Sequence, residues 1–210
     1  NKIKLELVYK HIDVYDYVAA SVVAESMSDG ISDNAKSLLR IGVLRQQLDL
    51  PKIDAIQNKI NITVLPTVSS EYKYIYEYIL WLQTKSLRGD YADFVRGITP
   101  VIMDLFEMVV KKICKLKIKD YSSEKHGVLY WDIDKVNKDT KLKKLFQDEY
   151  TNGLNKCAIT DAHLKVVILG MSDNPQINEM VKSLREIAEK VRNMAAHEIV
   201  SVSEEWVMEK

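Results

Sequence analysis

The sequence predicts an all-α protein: a bundle of amphipathic helices behind a short extended N-terminal segment. Three observations carry this. Apolar residues recur at three- and four-residue spacing over most of the 210 residues. Only 7 glycines and 4 prolines interrupt them. Strand-like patterning is confined to short stretches, and no internal repeat or low-complexity tract breaks the pattern.

Lys2, Lys4 and Glu6 alternate with Ile3, Leu5 and Leu7, which predicts a strand or extended linker over residues 2–8. Asp13 is the expected cap of a helix reaching about Met27, stopped by Ser28-Asp29-Gly30. Ser32-Asp33 opens the next, with Ala35, Leu38, Leu39, Gly42 and Leu44 at helical spacing. It ends by Leu50-Pro51, and a short helix follows to Lys59. Asn61 to Pro66 reads as extended chain. Ser69-Ser70 starts a strong helix with Ile75, Ile79 and Leu82 inward, broken at Leu87-Arg88-Gly89-Asp90. Asp90 starts another, with Tyr91, Phe94, Val95 and Ile98 inward. Pro100 either kinks this helix or occupies the first turn of a new one running to about Leu116.

Residues 120–137 are polar and turn-rich around a short strand at Val128–Trp131. A helix from about Lys138 to Tyr150 ends at Asn152-Gly153. Thr160 caps one to about Met171, and Asn174-Pro175 opens the last long helix. There Ile177, Val181, Leu184, Ala188, Val191 and Ala195 recur at four-three-four-three-four spacing, and Met180, Ile187 and Met194 widen the stripe.

At 47% apolar the chain has ample material for a core. Its formal charge is zero, so nucleic-acid affinity has to come from local patches. Cys114 and Cys157 have no metal or redox spacing and read as free thiols of a cytoplasmic protein. No apolar run approaches the roughly 20 residues of a membrane span, and no secretory signal is visible. The chain begins at Asn1 rather than methionine, so a fragment or processed product is expected.

The last helix closes on Arg192-Asn193-Met194-Ala195-Ala196-His197. Arginine keeps its charge at neutral pH and suits phosphate. Histidine exchanges protons near pH 7. Asparagine holds hydroxyl or phosphate oxygens. At about 100° per residue, Asn193 and His197 share an outward face while Arg192 flanks the apolar stripe. Arg192 and His197 are adjacent around the helix, so they converge only in a cleft on the outward side. A second copy of the helix would form one.

Arg192, Asn193 and His197 match the motif of the HEPN ribonuclease superfamily in order and spacing. Lys85 to Gly97 and the helix after it look like early helices of such a domain. The whole resembles the C-terminal HEPN region of the CARF–HEPN ancillary ribonucleases of type III-A CRISPR systems. On that resemblance residues 13–210 form the HEPN domain, and residues 1–12 are a linker left from an absent CARF-like domain. The resemblance implies a homodimer with two facing motifs and metal-independent cleavage of single-stranded RNA, without a cofactor. It also implies activation by cyclic oligoadenylate bound in the absent domain. Arg192, Asn193 and His197 are then catalytic, and Arg185, two turns earlier on nearly the same face, is a candidate guide for the RNA strand. The expected reaction is attack of the 2′-OH on the adjacent phosphorus, giving a 2′,3′-cyclic phosphate and a 5′-OH. The rival readings are a non-catalytic helical module that dimerises or binds a partner, and a stand-alone HEPN toxin.

Other signals point to ordinary structure. The lysines at 111–119 and 141–144 read as solvated helix ends, with contact to RNA phosphates as the alternative for either stretch. Asp132 to Asp139 fails as a calcium loop, because Asn137 takes the glycine position and Lys143 the closing glutamate. Arg88-Gly89-Asp90 reads as a helix break, and His11, His126 and His163 as surface or structural residues. Trp81 and the nearby tyrosines are expected in core or interface.

Overall fold

The structure is a computed structural model describing residues 1–197 and 202–208, with side chains through Val191 and over most of 202–208. It is helical throughout except for one β-hairpin among the described residues. The chain divides into two units, Asn1–Phe94 and Val95–Lys210.

The N-terminal unit opens with α1 (Lys2–Asp13), α2 (Tyr17–Glu25) and α3 (Asp33–Gln46), followed by α4 (Leu50–Ile60) and α5 (Ser70–Leu87). The expected extended segment is therefore a helix. Its alternation lasts only to Leu7, whereas Leu5, Val8 and Ile12 form a helical face packed on Ala20, Ala24, Met27 and Leu39. Ile3 is 75% exposed, so the alternating set is not the buried one. Asp13 also does not cap: it ends α1, and Tyr15 turns the chain with a left-handed φ of 57°. Asp16 caps α2 instead, accepting from the Ala19 N–H at 3.1 Å.

Ser32 caps α3 as expected, accepting from the Ala35 N–H at 3.2 Å. The α2–α3 contact is close at Gly42, where a Cβ would stand 2.8 Å from Tyr17 Cγ. Asp49 caps α4, and the Gln57 side-chain oxygen accepts from the Val64 and Leu65 N–H groups, tying down the extended segment. Ile41, Leu44, Leu50, Ile53 and Leu65 make this corner's apolar cluster. The inner face of α5 differs from expectation. Leu82 is buried but Ile79 is 44% exposed, and the most buried position is Glu77 at 1%. Arg45 of α3 holds it with Nε and Nη2 donating at 2.7 and 2.8 Å.

In the second unit, α6 (Tyr91–Lys112), which begins just before the unit boundary, runs unbroken through Pro100 and ends before the expected Leu116. A short 3-10 turn (Ile118–Tyr121) leads into β1 (Ser122–Lys125) and β2 (Val128–Trp131), paired antiparallel with Ser122 opposite Trp131. His126 and Gly127 form the two-residue turn, both with positive φ as such hairpins require. Then come α7 (Ile133–Lys138), α8 (Thr140–Glu149), α9 (Asp161–Met171), α10 (Pro175–His197) and α11 (Glu204–Met208). Asp132 and Asp139, the false calcium loop, cap α7 and α8.

One continuous core joins these elements. Trp131, Phe106, Phe146, Leu142, Leu164 and Val167 are at most 1% exposed. Trp131 and Phe146 meet edge-on at 5.3 Å. Each full burial of such a side chain stabilises by about 1.5–3 kcal/mol.

Candidate active site

The motif's position is set by α10. Asn174 caps it, its side-chain oxygen accepting from the Gln176 and Ile177 N–H groups at 3.0 and 3.3 Å. Val181 and Ala188 are fully buried and Val191 nearly so, as the apolar stripe requires. Met180 and Ile187 behave differently: at 47% and 37% exposed, they form an apolar edge facing outward.

Arg185 is mostly buried. Its Nε stands 3.4 Å from Asp161 Oδ2 at the start of α9, and its Nη1 stands 3.6 Å from Glu189. Asp161 is 3% exposed. The pair braces α9 against α10 about two turns before the motif, and matches the arginine's charge within the fold. A buried pair of this kind is costly to break from one side.

The helix continues through Arg192 and Asn193 to His197. Their side chains, like Met194 to Ala196, lie outside what the structure describes. The backbone alone keeps Asn193 and His197 on one face, four residues apart.

Other chemistry-bearing groups were tested against the geometry. His163 and Cys157 sit together, Nε2 to Sγ 3.6 Å. His163 Nδ1 accepts from the Thr160 N–H at 3.1 Å, so a neutral ring carries its proton on Nε2. Burial pushes the Cys157 thiol up and holds the imidazole below its ordinary value. That makes a neutral structural pair, edge-on to Trp131, Phe146 and Tyr150, and not an activated nucleophile. Arg88-Gly89-Asp90 is a helix break, with Gly89 at φ 77° and Asp90 paired to Lys85 and Arg88. In the N-terminal unit Trp81 is half-buried against Tyr78, while Tyr74 and Tyr76 are exposed. A cleft of about 460 Å³ lies there, walled by Tyr17, Trp81, Leu80 and the Arg45–Glu77 pair.

No described helix is long and apolar enough to cross a membrane. Two features escaped the sequence reading. Glu77 hid inside a tyrosine-rich helix whose apolar residues suggested another face. Asp161 read only as a first-turn acid; its ion pair joins residues 24 apart, which no local pattern reveals.

Comparison with known proteins supplies the context. No curated protein matches the chain. A solved structure, Enterococcus italicus Csm6 bound to cyclic hexa-2′-fluoro-hexa-dAMP, is similar with a TM-score of 0.68 at 14% identity. The match covers 96% of this chain but 46% of that one, so the chain spans about half the relative's length. At this identity the likeness establishes the helical fold. Residues 1–46 match the family model for the CRISPR-associated protein Csm6 6H domain. Residues 64–210, well over half the chain and including Arg192, Asn193 and His197, match that for the Cas_Csm6 HEPN domain, and the chain belongs to this CRISPR-associated family.

Proposed function

We propose that this chain carries the catalytic region of a metal-independent endoribonuclease of type III CRISPR antiviral defence, acting on single-stranded RNA as a homodimer. The observation that carries the reading is the Arg192-Asn193…His197 motif at the end of α10, inside the HEPN-matched residues. The exposed Met180 and Ile187 give α10 an apolar edge suited to a second copy. The activator is a cyclic oligoadenylate, the ligand class on the similar solved structure.

In this mechanism the ribose supplies its own nucleophile. The 2′-OH is already tethered beside the phosphorus, so the protein's work is alignment and proton transfer. His197 removes the 2′-OH proton or delivers one to the departing 5′-oxygen, the other subunit's His197 taking the complementary role. Arg192 stabilises charge growing on the phosphoryl oxygens. Asn193 positions the phosphate or the imidazole. Arg185, matched by Asp161 and Glu189, holds α10 in place for this chemistry.

The test uses a fluorescent RNA and a matched oligonucleotide with a 2′-deoxy sugar at the cut. Arg192→Ala or His197→Ala lowers cleavage by about two to four orders of magnitude. Cleavage by the unmutated protein persists in EDTA and yields a 2′,3′-cyclic phosphate, while the 2′-deoxy oligonucleotide stays intact. Full activity in both variants would assign the chain to the non-catalytic reading.

A further inference from the structure

We propose that the end of α6, the 3-10 turn and the α7–α8 junction form one basic surface that holds the backbone of a single-stranded RNA upstream or downstream of the cut. The inference rests on the ribonuclease reading and adds a second contact region for the same substrate. The chain is formally neutral, yet residues 113–144 carry 9 lysines against 5 acidic residues. In sequence these lysines form two separate stretches. Folding joins them.

The Tyr121–Asp139 contact does so. Tyr121, at the end of the 3-10 turn, donates its hydroxyl to Asp139 Oδ2 at 2.8 Å. Asp139 caps α8 between Lys138 and Lys141. Burial pushes up the Cys114 thiol, beyond the end of α6, and the charge of Lys141 acts against that shift. Burial alternates along the connecting segment: Leu116 and Ile118 are 7% and 8% exposed, whereas Lys115, Lys117 and Lys119 are exposed. The apolar pair thus anchors the segment in the core and turns three ammonium groups to solvent. Lys115 holds a left-handed φ of 56°, at a helix end where glycine is the cheapest residue.

Several acids lie close by: Asp132 pairs with Lys135 at 3.5 Å, and Asp104 acts on Glu107. Glu107 faces Lys119, and Asp120 is exposed beside it. Asp139 is occupied by the Tyr121 hydroxyl and by the Lys141 and Leu142 N–H groups. The exposed ammonium groups of Lys115, Lys117 and Lys119 match a polyphosphate chain, whose affinity comes from counterion release.

The surface is displaced from Arg185, which lies about two turns before the motif. Lys141 starts α8, whereas Tyr150, just past its other end, feels the charge of Arg185. Ten helical residues span about 15 Å. Only an RNA several nucleotides long reaches both places, and a dinucleotide does not.

The experiment uses the whole chain carrying His197→Ala to prevent cutting, with a 20-nucleotide single-stranded RNA. Affinity is measured from 50 to 300 mM salt. Lys115→Gln, Lys117→Gln and Lys119→Gln together are expected to weaken binding at least about tenfold at low salt and to flatten the log–log salt slope by about 2. The control, Lys2→Gln with Lys10→Gln and Lys59→Gln, leaves both unchanged. In the cutting-competent protein the first triple variant raises KM for the long RNA and leaves dinucleotide cleavage alone. Unchanged affinity and slope overturn the proposal, as does loss of binding to phosphatidylserine vesicles with RNA binding intact. If His197→Ala still cuts, the ribonuclease reading fails at the motif, while the binding measurement judges the surface separately.

Discussion

Residues Asn1–Phe94 and Val95–Lys210 bury their side chains by different routes. In the first unit the described core is two small aliphatic clusters, around Ala20 and Met27 and around Leu44 and Ile53, with a bidentate Arg45–Glu77 pair beside a cleft. In the second, one continuous core is built on Trp131, Phe106 and Phe146, and α9 and α10 are laid against it. The difference separates two kinds of specification. Aliphatic packing with an ion pair fixes a partner by charge. Aromatic packing fixes it by shape. The motif helix draws on both, packing on the aromatic core while Arg185 pairs with Asp161 of α9.

The largest stability effect should come from breaking each device at its centre. Phe146→Ala empties the second core and is expected to cost about 3–5 kcal/mol. Glu77→Ala takes the carboxylate from Arg45, whose side chain is 35% exposed and keeps part of its hydration, and is expected to cost about 1–3 kcal/mol. What distinguishes them is rescue. Arg45→Met with Glu77→Leu should restore most of the loss, because two apolar groups need no pairing. No single partner change should rescue Phe146→Ala. Urea denaturation of the four proteins decides this; a double variant as unstable as Glu77→Ala refutes the ion-pair account.

A smaller effect is expected at Gly42. Alanine there drives its Cβ to 2.8 Å from Tyr17 Cγ, and an aromatic ring yields less readily than an aliphatic tip. Overpacking of about 1–3 kcal/mol outweighs the gain of about 1 kcal/mol in helix propensity. A melting temperature above that of the unmutated chain would mean that α2 and α3 shift apart freely.

The smallest effect is a pH slope from the second unit. Burial holds the folded His163 imidazole below its ordinary value, so its neutral form is favoured in the fold. As pH falls through about 6.5 the unfolded chain takes up a proton that the folded chain refuses. The contribution is therefore complete above that pH and declines as pH drops toward the folded value. His163→Gln should remove this part of the acid slope in a denaturation series. An identical slope in the variant would place the titration elsewhere.

The helices with several turns of consistent spacing were legible from the residues. The α10 stripe predicted Val181, Ala188 and Val191 as buried, and they are. Ser32, Thr160 and Asn174 were recognisable as caps because capping chemistry is local. Short elements were not. Strand β1 is Ser-Ser-Glu-Lys and has no apolar alternation; it exists because the left-handed His126-Gly127 turn folds it onto β2. The N-terminal helix shows the opposite failure: seven alternating residues imitated a strand, and the apolar face that mattered needed Val8 and Ile12 to complete it.

The sequence by itself determined the helical class, the caps and the Arg192-Asn193…His197 grouping, since periodicity, capping and motif spacing are all properties of neighbours along the chain. Only the tertiary structure decided that Glu77 would be buried against Arg45, that Asp161 would reach Arg185, and that Tyr121 would reach Asp139. Those are relations between residues 18 to 32 positions apart in the chain. Their free energy depends on which faces meet after folding, and no local window contains that information.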